Sequence, residues 1–196
     1  AIIHDSDGDG ITAGILCKKA VEAFSKPVVF FHTAQKREGF ITQDVIDTLR
    51  KKEVTTLICL DFDPTTLSTY EALEPLVNSH QLHLIVIDHH PAIDNTQHMM
   101  INPHIVDHPK GSRYCTAKLV YDIFEDKISN YDWLAAVGII SDYTAAAWMP
   151  FLLEVKRRYG FFMESTEFTQ WFSIPLMNVA QIINCASAID QNSLFA

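Results

Sequence analysis

The sequence has no apolar run near the roughly 18 residues needed to span a membrane. Its longest, Leu134 to Ile140, is short and is broken by Gly138. The N-terminus lacks the basic-then-apolar pattern of a secretion signal. It also lacks an initiating Met and begins inside a strand-like segment, so we expect the sequence to be trimmed there. No two of the four cysteines (Cys17, Cys59, Cys115, Cys185) have the short spacing of a zinc or redox motif. Three sit in apolar contexts, so we expect reduced thiols and a cytoplasmic setting. Positive charge is scarce: 15 Lys and Arg stand against 24 Asp and Glu, a net charge of −9. That argues against broad, nonspecific duplex binding, which needs a basic footprint. It does not exclude a phosphate-bearing substrate if bound cations offset the acid. There is no internal repeat, low-complexity tract or obvious linker.

What is present is a chain of 196 residues, 48% hydrophobic, long enough to bury a core. Strand and helix patterns alternate. Strands are expected at Ala1–His4, Pro27–Phe31, Thr55–Leu60 and Leu82–Ile87. Helices are expected at Thr12–Phe24, at Thr42–Lys51 with Thr42 as its cap, and at Thr65–Asn78. This rhythm predicts an α/β fold, a parallel β-sheet flanked by helices. After Ile101 the pattern turns mostly helical, with candidates at Tyr114–Phe124, Trp133–Ser141, Phe151–Tyr159 and Leu176–Ala188. Residues 1–145 read as the α/β core and 146–196 as a helical extension leading towards a linker.

Three apolar strands end in carboxylates or imidazoles. Ile2-Ile3-His4 leads into Asp5-Ser6-Asp7-Gly8-Asp9-Gly10. Thr56 to Leu60 leads into Asp61-Phe62-Asp63-Pro64, and Leu84 to Ile87 into Asp88-His89-His90-Pro91. In a parallel sheet such ends share one rim, where these folds place their ligands. Hard oxygens with a few imidazoles converging there point to a divalent metal centre. In an extended chain Asp5, Asp7 and Asp9 share a face, with Thr12 capping the helix that follows. Asp-x-Asp-Gly by itself is equally a solvated acidic loop. An EF-hand loop would need later ligands that Ile11 to Gly14 lack. Consecutive histidines at a strand end point apart, so one of His89 and His90 is expected in a metal cluster and the other elsewhere in the cleft. Asp88 is a candidate to orient an imidazole from outside the ligand set. Asp63 is read as the cap of the helix entered at Pro64. Asp142 ends an apolar helix, where a carboxylate opposes the helix dipole unless a cation compensates it. Ser112 and Arg113 before a helix suit an anion, and His104 is a weaker substrate-contact candidate. The aromatic-rich stretch Phe151 to Phe172, with Lys156-Arg157-Arg158, reads first as a helical cap over a core and second as a base-stacking strip.

Asp7-Gly8-Asp9-Gly10, Asp61, Asp88-His89-His90 and Gly138-Ile139-Ile140-Ser141-Asp142 together resemble the four ordered motifs of the DHH phosphoesterase family. This family includes RecJ-type single-strand exonucleases, oligoribonucleases, cyclic-dinucleotide phosphodiesterases and manganese pyrophosphatases. The resemblance covers about the first three quarters of the chain, and Ala180 to Ser187 resembles the segment that leads out of a RecJ-like catalytic domain. The resemblance implies two Mn2+ ions, with Mg2+ as a substitute. His4, Asp7 and Asp61 would hold one, and Asp9, Asp61, His89 and Asp142 the other, with Asp61 bridging and His90 facing the phosphate. Asp5 competes with His4 for the first-motif role. It further implies a manganese-dependent phosphodiesterase or exonuclease acting on single-stranded DNA or RNA or short oligonucleotides. The rivals are a small-substrate phosphohydrolase acting on a cyclic dinucleotide, a phosphonucleotide or pyrophosphate, and an inactive scaffold in replication or repair. The glycine-rich, substrate-gripping second domain of the family has no counterpart before residue 196.

Overall fold

The computed structural model describes residues 1–34, 41–66, 70–92, 98–106, 113–159 and 178–185. The sheet is made of β1 (Ile2–His4), β2 (Phe31–Thr33), β3 (Thr56–Leu60), β4 (His83–Ile87) and β5 (Met99–Ile101). All four pairings are parallel and the order is β2-β1-β3-β4-β5. His4, Leu60 and Ile87 are aligned across β1, β3 and β4. The acidic and histidine segments that follow these strands therefore leave the sheet along one rim. The expected α/β fold with a parallel sheet is the observed one.

The period-two alternation of a strand sorts its side chains between two cores. Ile2, Leu60 and Ile87 join one cluster, packed under α1 (Gly8–Ala23), α5 (Thr116–Ile128), α6 (Asp132–Ser141) and α7 (Met149–Tyr159). Ile3, Leu57, Cys59, Leu84 and Val86 join the other, packed under α2 (Gln43–Lys51) and α3 (Tyr70–Asn78). Both faces of the central strands are covered, which is why they read as unbroken apolar runs. A short helix, α4 (Pro103–Val106), follows β5, and residues 178–185 are helical.

Several expectations are corrected. Helix α1 begins at Gly8, not Thr12. Asp7 is its cap, with Oδ1 accepting from the Gly10 N–H at 3.0 Å, and Thr12 donates from inside the helix to the Gly8 carbonyl at 2.7 Å. Gly8 and Gly10 are poor helix formers, yet tertiary packing overrides propensity here. A Cβ on Gly10 would lie 2.6 Å from the Asp5 carbonyl, so only glycine permits that approach. Asp9 is thus a first-turn residue and does not share an extended face with Asp5 and Asp7. The second strand is Phe31–Thr33 instead of Pro27–Phe31, since these are the residues in register with Ile2–His4 of β1. The expected helix 65–78 is a 3-10 turn at Pro64–Thr66 and then α3, and the turn is capped by Asp63, which accepts from the Thr65 N–H at 2.9 Å. Strand β5, an edge strand of three residues, has no counterpart among the expected strands. Helix α5 runs past Phe124, where it is kinked.

Helix α7 closes on α6. Arg158 pairs with Asp132 at 2.7 Å, the Tyr159 hydroxyl donates to Asp132 at 2.7 Å, and Leu152 and Val155 are buried. Arg158 thus belongs to a cap over the core. The rest of the aromatic stretch, residues 160–172, lies outside the described residues. Cys17, Cys59 and Cys115 are buried free thiols, and Cys185 is an exposed one. No helix of the described residues is long and apolar enough to cross a membrane.

Three helices meet at Gly138. A Cβ there would stand 2.4 Å from Cβ of Ala117, 2.8 Å from Oγ1 of Thr12 and 2.9 Å from Oδ1 of Asp9. Overpacking of this kind costs about 1–3 kcal/mol. Gly138→Ala should lower the melting temperature by several degrees, about 2–4 °C per kcal/mol at this chain length. A calorimetric scan with an unchanged midpoint would show that the contact relaxes freely.

Candidate metal centre

Asp9 is the most constrained side chain of the rim. It is buried in the first turn of α1, and its two carboxylate oxygens accept the first N–H groups of α5. Oδ2 takes that of Thr116 at 2.6 Å and Oδ1 that of Ala117 at 2.8 Å. Cys115, the cap residue of α5, makes no side-chain cap bond, so a carboxylate from another helix does that work. Asp61 follows β3 with φ of 69°, a left-handed conformation that Asp tolerates better than most residues. Its Oδ1 accepts from the Thr116 hydroxyl at 2.9 Å. Asp142 caps the C-terminal end of α6.

His89 lies between these three acids. Its Nε2 is 3.4 Å from Asp61, 3.7 Å from Asp142 and 3.8 Å from Asp9. Burial pushes its pKa down to about 4, against a hydrogen bond with the backbone of Tyr114. A neutral imidazole with a nitrogen facing carboxylates is the metal-ligating form. His90 is held by Asp88, whose Oδ1 lies 2.7 Å from Nδ1 and also accepts the His89 backbone N–H at 2.9 Å. The expectation that the two imidazoles diverge is corrected. Their centroids are 4.5 Å apart, and both reach Asp61. The chain has already left β4 at Asp88, so strand alternation no longer applies.

Three groups have ligand atoms within 4.8 Å of one another: Asp5, Asp7 and Asp61; Asp61, His89 and His90; Asp9, His89 and Asp142. Asp61 and His89 each belong to two. His4 belongs to none of the three. Its Nδ1 donates to the Asp5 carbonyl at 2.7 Å, its Nε2 is 3.3 Å from the Thr33 hydroxyl, and its ring packs on Phe31 and under Gly14. Between the two first-motif candidates, the geometry brings Asp5 to Asp7 and Asp61.

The donor set fits a hard dication. Among the described residues no Lys or Arg pairs with Asp9, Asp61 or Asp142. Burial, then the neighbouring acids, raises all three: Asp9 to about 6, Asp142 to about 7, and Asp61 well above the carboxylate range. Oxygen-rich donors with one or two imidazoles suit Mn2+ or Mg2+ better than zinc.

Beside the centre opens a cleft of about 430 Å³, whose lining includes His89, His90, His104, Arg113, Asp142 and Tyr143. His104 and Arg113, both expected at a substrate, are brought there. Ser112 lies outside the described residues. The Trp148 indole N–H donates to the Arg113 carbonyl at 2.7 Å and steadies that backbone. Sequence reasoning missed two other contributors. One is Thr116, which bonds Asp9 and Asp61 at once. The other is Asn184, whose Oδ1 accepts the Gly8 N–H at 2.9 Å across 176 residues of sequence. No local signal could have indicated a partner so distant. A Cβ on Gly8 would strike Ser141 at 2.2 Å and Asn184 at 2.7 Å, so the first turn of α1 is wedged between α6 and the 178–185 helix.

Two outcomes follow. Asn184→Ala leaves the Gly8 N–H without its acceptor and loosens the Asp7–Asp9 turn. Its Mn2+ dissociation constant should rise by about tenfold or more, as for other groups that orient metal ligands; an unchanged calorimetric titration would refute this. Metal-free stability should also depend on pH. The raised carboxyls favour the folded state below about pH 4, and that contribution is lost as pH rises through about 6 and 7. His89, lowered to about 4, and His4 and His98, also lowered by burial, act in the opposite sense up to about pH 6.5, so the carboxyls prevail above it. Melting temperature without metal should therefore fall from pH 6.5 to 7.5, and added Mn2+ should raise it most at the upper end. A flat pH profile in both conditions would contradict the raised carboxyls.

The family model described as the DHH family, N-terminal domain, matches residues 1–146. No curated protein matches the sequence. Among solved structures, exonuclease RecJ bound to manganese superposes with a TM-score of 0.60 at 20% identity, covering 96% of this chain and 52% of that one. RecJ in complex with Mn2+ from Thermus thermophilus gives a TM-score of 0.55 at 22% identity, covering 80% of this chain and 24% of that one. At these identities the likeness is one of fold, and this chain spans about half or less of each RecJ chain. With the family model matching most of its length and all four motifs meeting at one rim, this chain belongs to the DHH family.

Proposed function

We propose that this chain carries the catalytic core of a metal-dependent phosphoesterase that hydrolyses phosphodiester bonds in single-stranded nucleic acid or short oligonucleotides. The observation that carries the reading is the cluster of Asp9, Asp61, Asp142 and His89, to which no described Lys or Arg is paired, open to a cleft that also holds an arginine. Family membership and the manganese in both RecJ structures support it. In this reading Asp7 and Asp61, with Asp5 or His4, hold one ion, while Asp9, Asp61, His89 and Asp142 hold the other. Two Mn2+ or Mg2+ ions, when bound, supply the charge that activates a water and stabilises the leaving oxygen of an in-line displacement. The residues of the chain do the rest. Asp88 holds His90 in one orientation beside the phosphate. Arg113, and Ser112 with it, binds the non-bridging oxygens, and His104 lines the substrate path. Thr116 keeps the carboxylates of Asp9 and Asp61 in register. We assign the core to residues 1–145 and the helical extension to 146–196, and the free cysteines fit a cytoplasmic location. The net charge of −9 and the modest cleft favour short substrates within this class, with cyclic dinucleotides or other small phosphoesters as the second reading.

The test offers the protein an equal mixture of a 5′-phosphorylated single strand and a dinucleotide with Mn2+, the products being counted by mass spectrometry. Hydrolysis of both is the expected result; hydrolysis of the dinucleotide alone confines the activity to short substrates and brings the second reading forward. Asp9→Ala, His89→Ala and Asp142→Ala should each lower turnover by more than about a hundredfold, since even groups outside the ligand set contribute about 10–100-fold. Retained manganese-dependent activity in all three would sink the assignment.

A further inference from the structure

Tyr143 stands where a helix prefers glycine. Helix α6 ends in a six-residue cap in which the Thr144 N–H donates to the Ile139 carbonyl at 3.1 Å and the Tyr143 N–H to the Ile140 carbonyl at 3.2 Å. This pairing puts the residue after the cap in the left-handed region, and Tyr143 has φ of 59°. Glycine holds that position most often because a Cβ there is strained. Here the strain returns no packing, because Tyr143 is 81% exposed, the most exposed large apolar residue among those described. Among the described residues its ring makes no aromatic contact, whereas exposed Phe24 packs edge-on against Phe124. Tyr143 is also the residue after Asp142, and it lines the cleft shared by His89, His90 and Arg113. A hydrogen-bonded helix end thus presents a bare aromatic face beside the groups assigned to the phosphate.

We propose that Tyr143 is a specificity residue, a stacking platform for the nucleobase attached to the phosphate bound in this cleft. The inference rests on the phosphodiesterase reading and narrows it to base-bearing substrates, as against inorganic polyphosphate or sugar phosphates. Stacking on tyrosine tolerates any base, because every base has a π-face, so the platform selects for a nucleotide without selecting its sequence. The rigid cap matters to this role: a ring on a fixed helix end loses little freedom when it binds.

The experiment compares the Mn2+-loaded protein with its Tyr143→Gly and Tyr143→Trp variants. Calorimetry measures binding of a slowly hydrolysed phosphorothioate dinucleotide and of its abasic counterpart. Tyr143→Gly should weaken binding of the base-bearing ligand about tenfold relative to the abasic one, the scale of one lost stack, while keeping or raising the melting temperature. Tyr143→Trp should preserve the preference. Equal losses for both ligands, no change in either, or no binding of either by the unaltered protein would overturn the proposal. Failure of the catalytic reading would look different: firm, base-dependent binding with no turnover of the ordinary dinucleotide.

Discussion

The pair of hydrogen bonds from the first turn of α5 to the Asp9 carboxylate is the constraint on which the rest depends. It caps one helix with a side chain from another and ties residues more than a hundred positions apart. It also fixes a charged group in a place where charge is costly. Asp61, Asp142 and His89 then pack around Asp9 with no Lys or Arg partner among the described residues, so buried acids are held together at an electrostatic cost. Such conflicts are characteristic of functional sites, where stability is given up for chemistry.

The surrounding architecture serves that constraint. Parallel pairing aligns the ends of β1, β3 and β4, and each end releases an acid or imidazole at the same height. Glycines permit the close approaches: Gly138 makes room for Asp9 and Thr12, and Gly8 lets the turn of α1 slide between Ser141 and Asn184. Asp88, Thr116 and Asn184 touch the site from behind and fix the directions of groups that face it. The cleft opens on the other side, with Arg113 and Tyr143 at its walls.

How far the sequence could be read depended on whether each signal was local. The central strands were legible because unbroken apolar runs mean burial on both faces. Their polar ends were legible because a parallel sheet gathers them. The edge strands are less so: β2 lies at Phe31–Thr33 and not at the expected Pro27–Phe31, and β5 has no expected counterpart. The start of α1 is not legible locally, because Gly8 and Gly10 are poor helix formers and tertiary contacts decide that turn. The divergence expected of His89 and His90 failed because it assumed a strand that had already ended.

The α/β class, the order of the motifs and the kinds of donor atom available follow from the sequence alone, because periodicity and residue chemistry are properties of neighbouring residues. Distances came only with the folded chain: Asp5 comes close to Asp7 and Asp61, both imidazoles reach Asp61, and Asn184 supports the first turn of α1. These are matters of direction and distance between segments far apart in the chain. They are settled by helix packing and by which backbone N–H groups need an acceptor, and no short stretch of sequence records either.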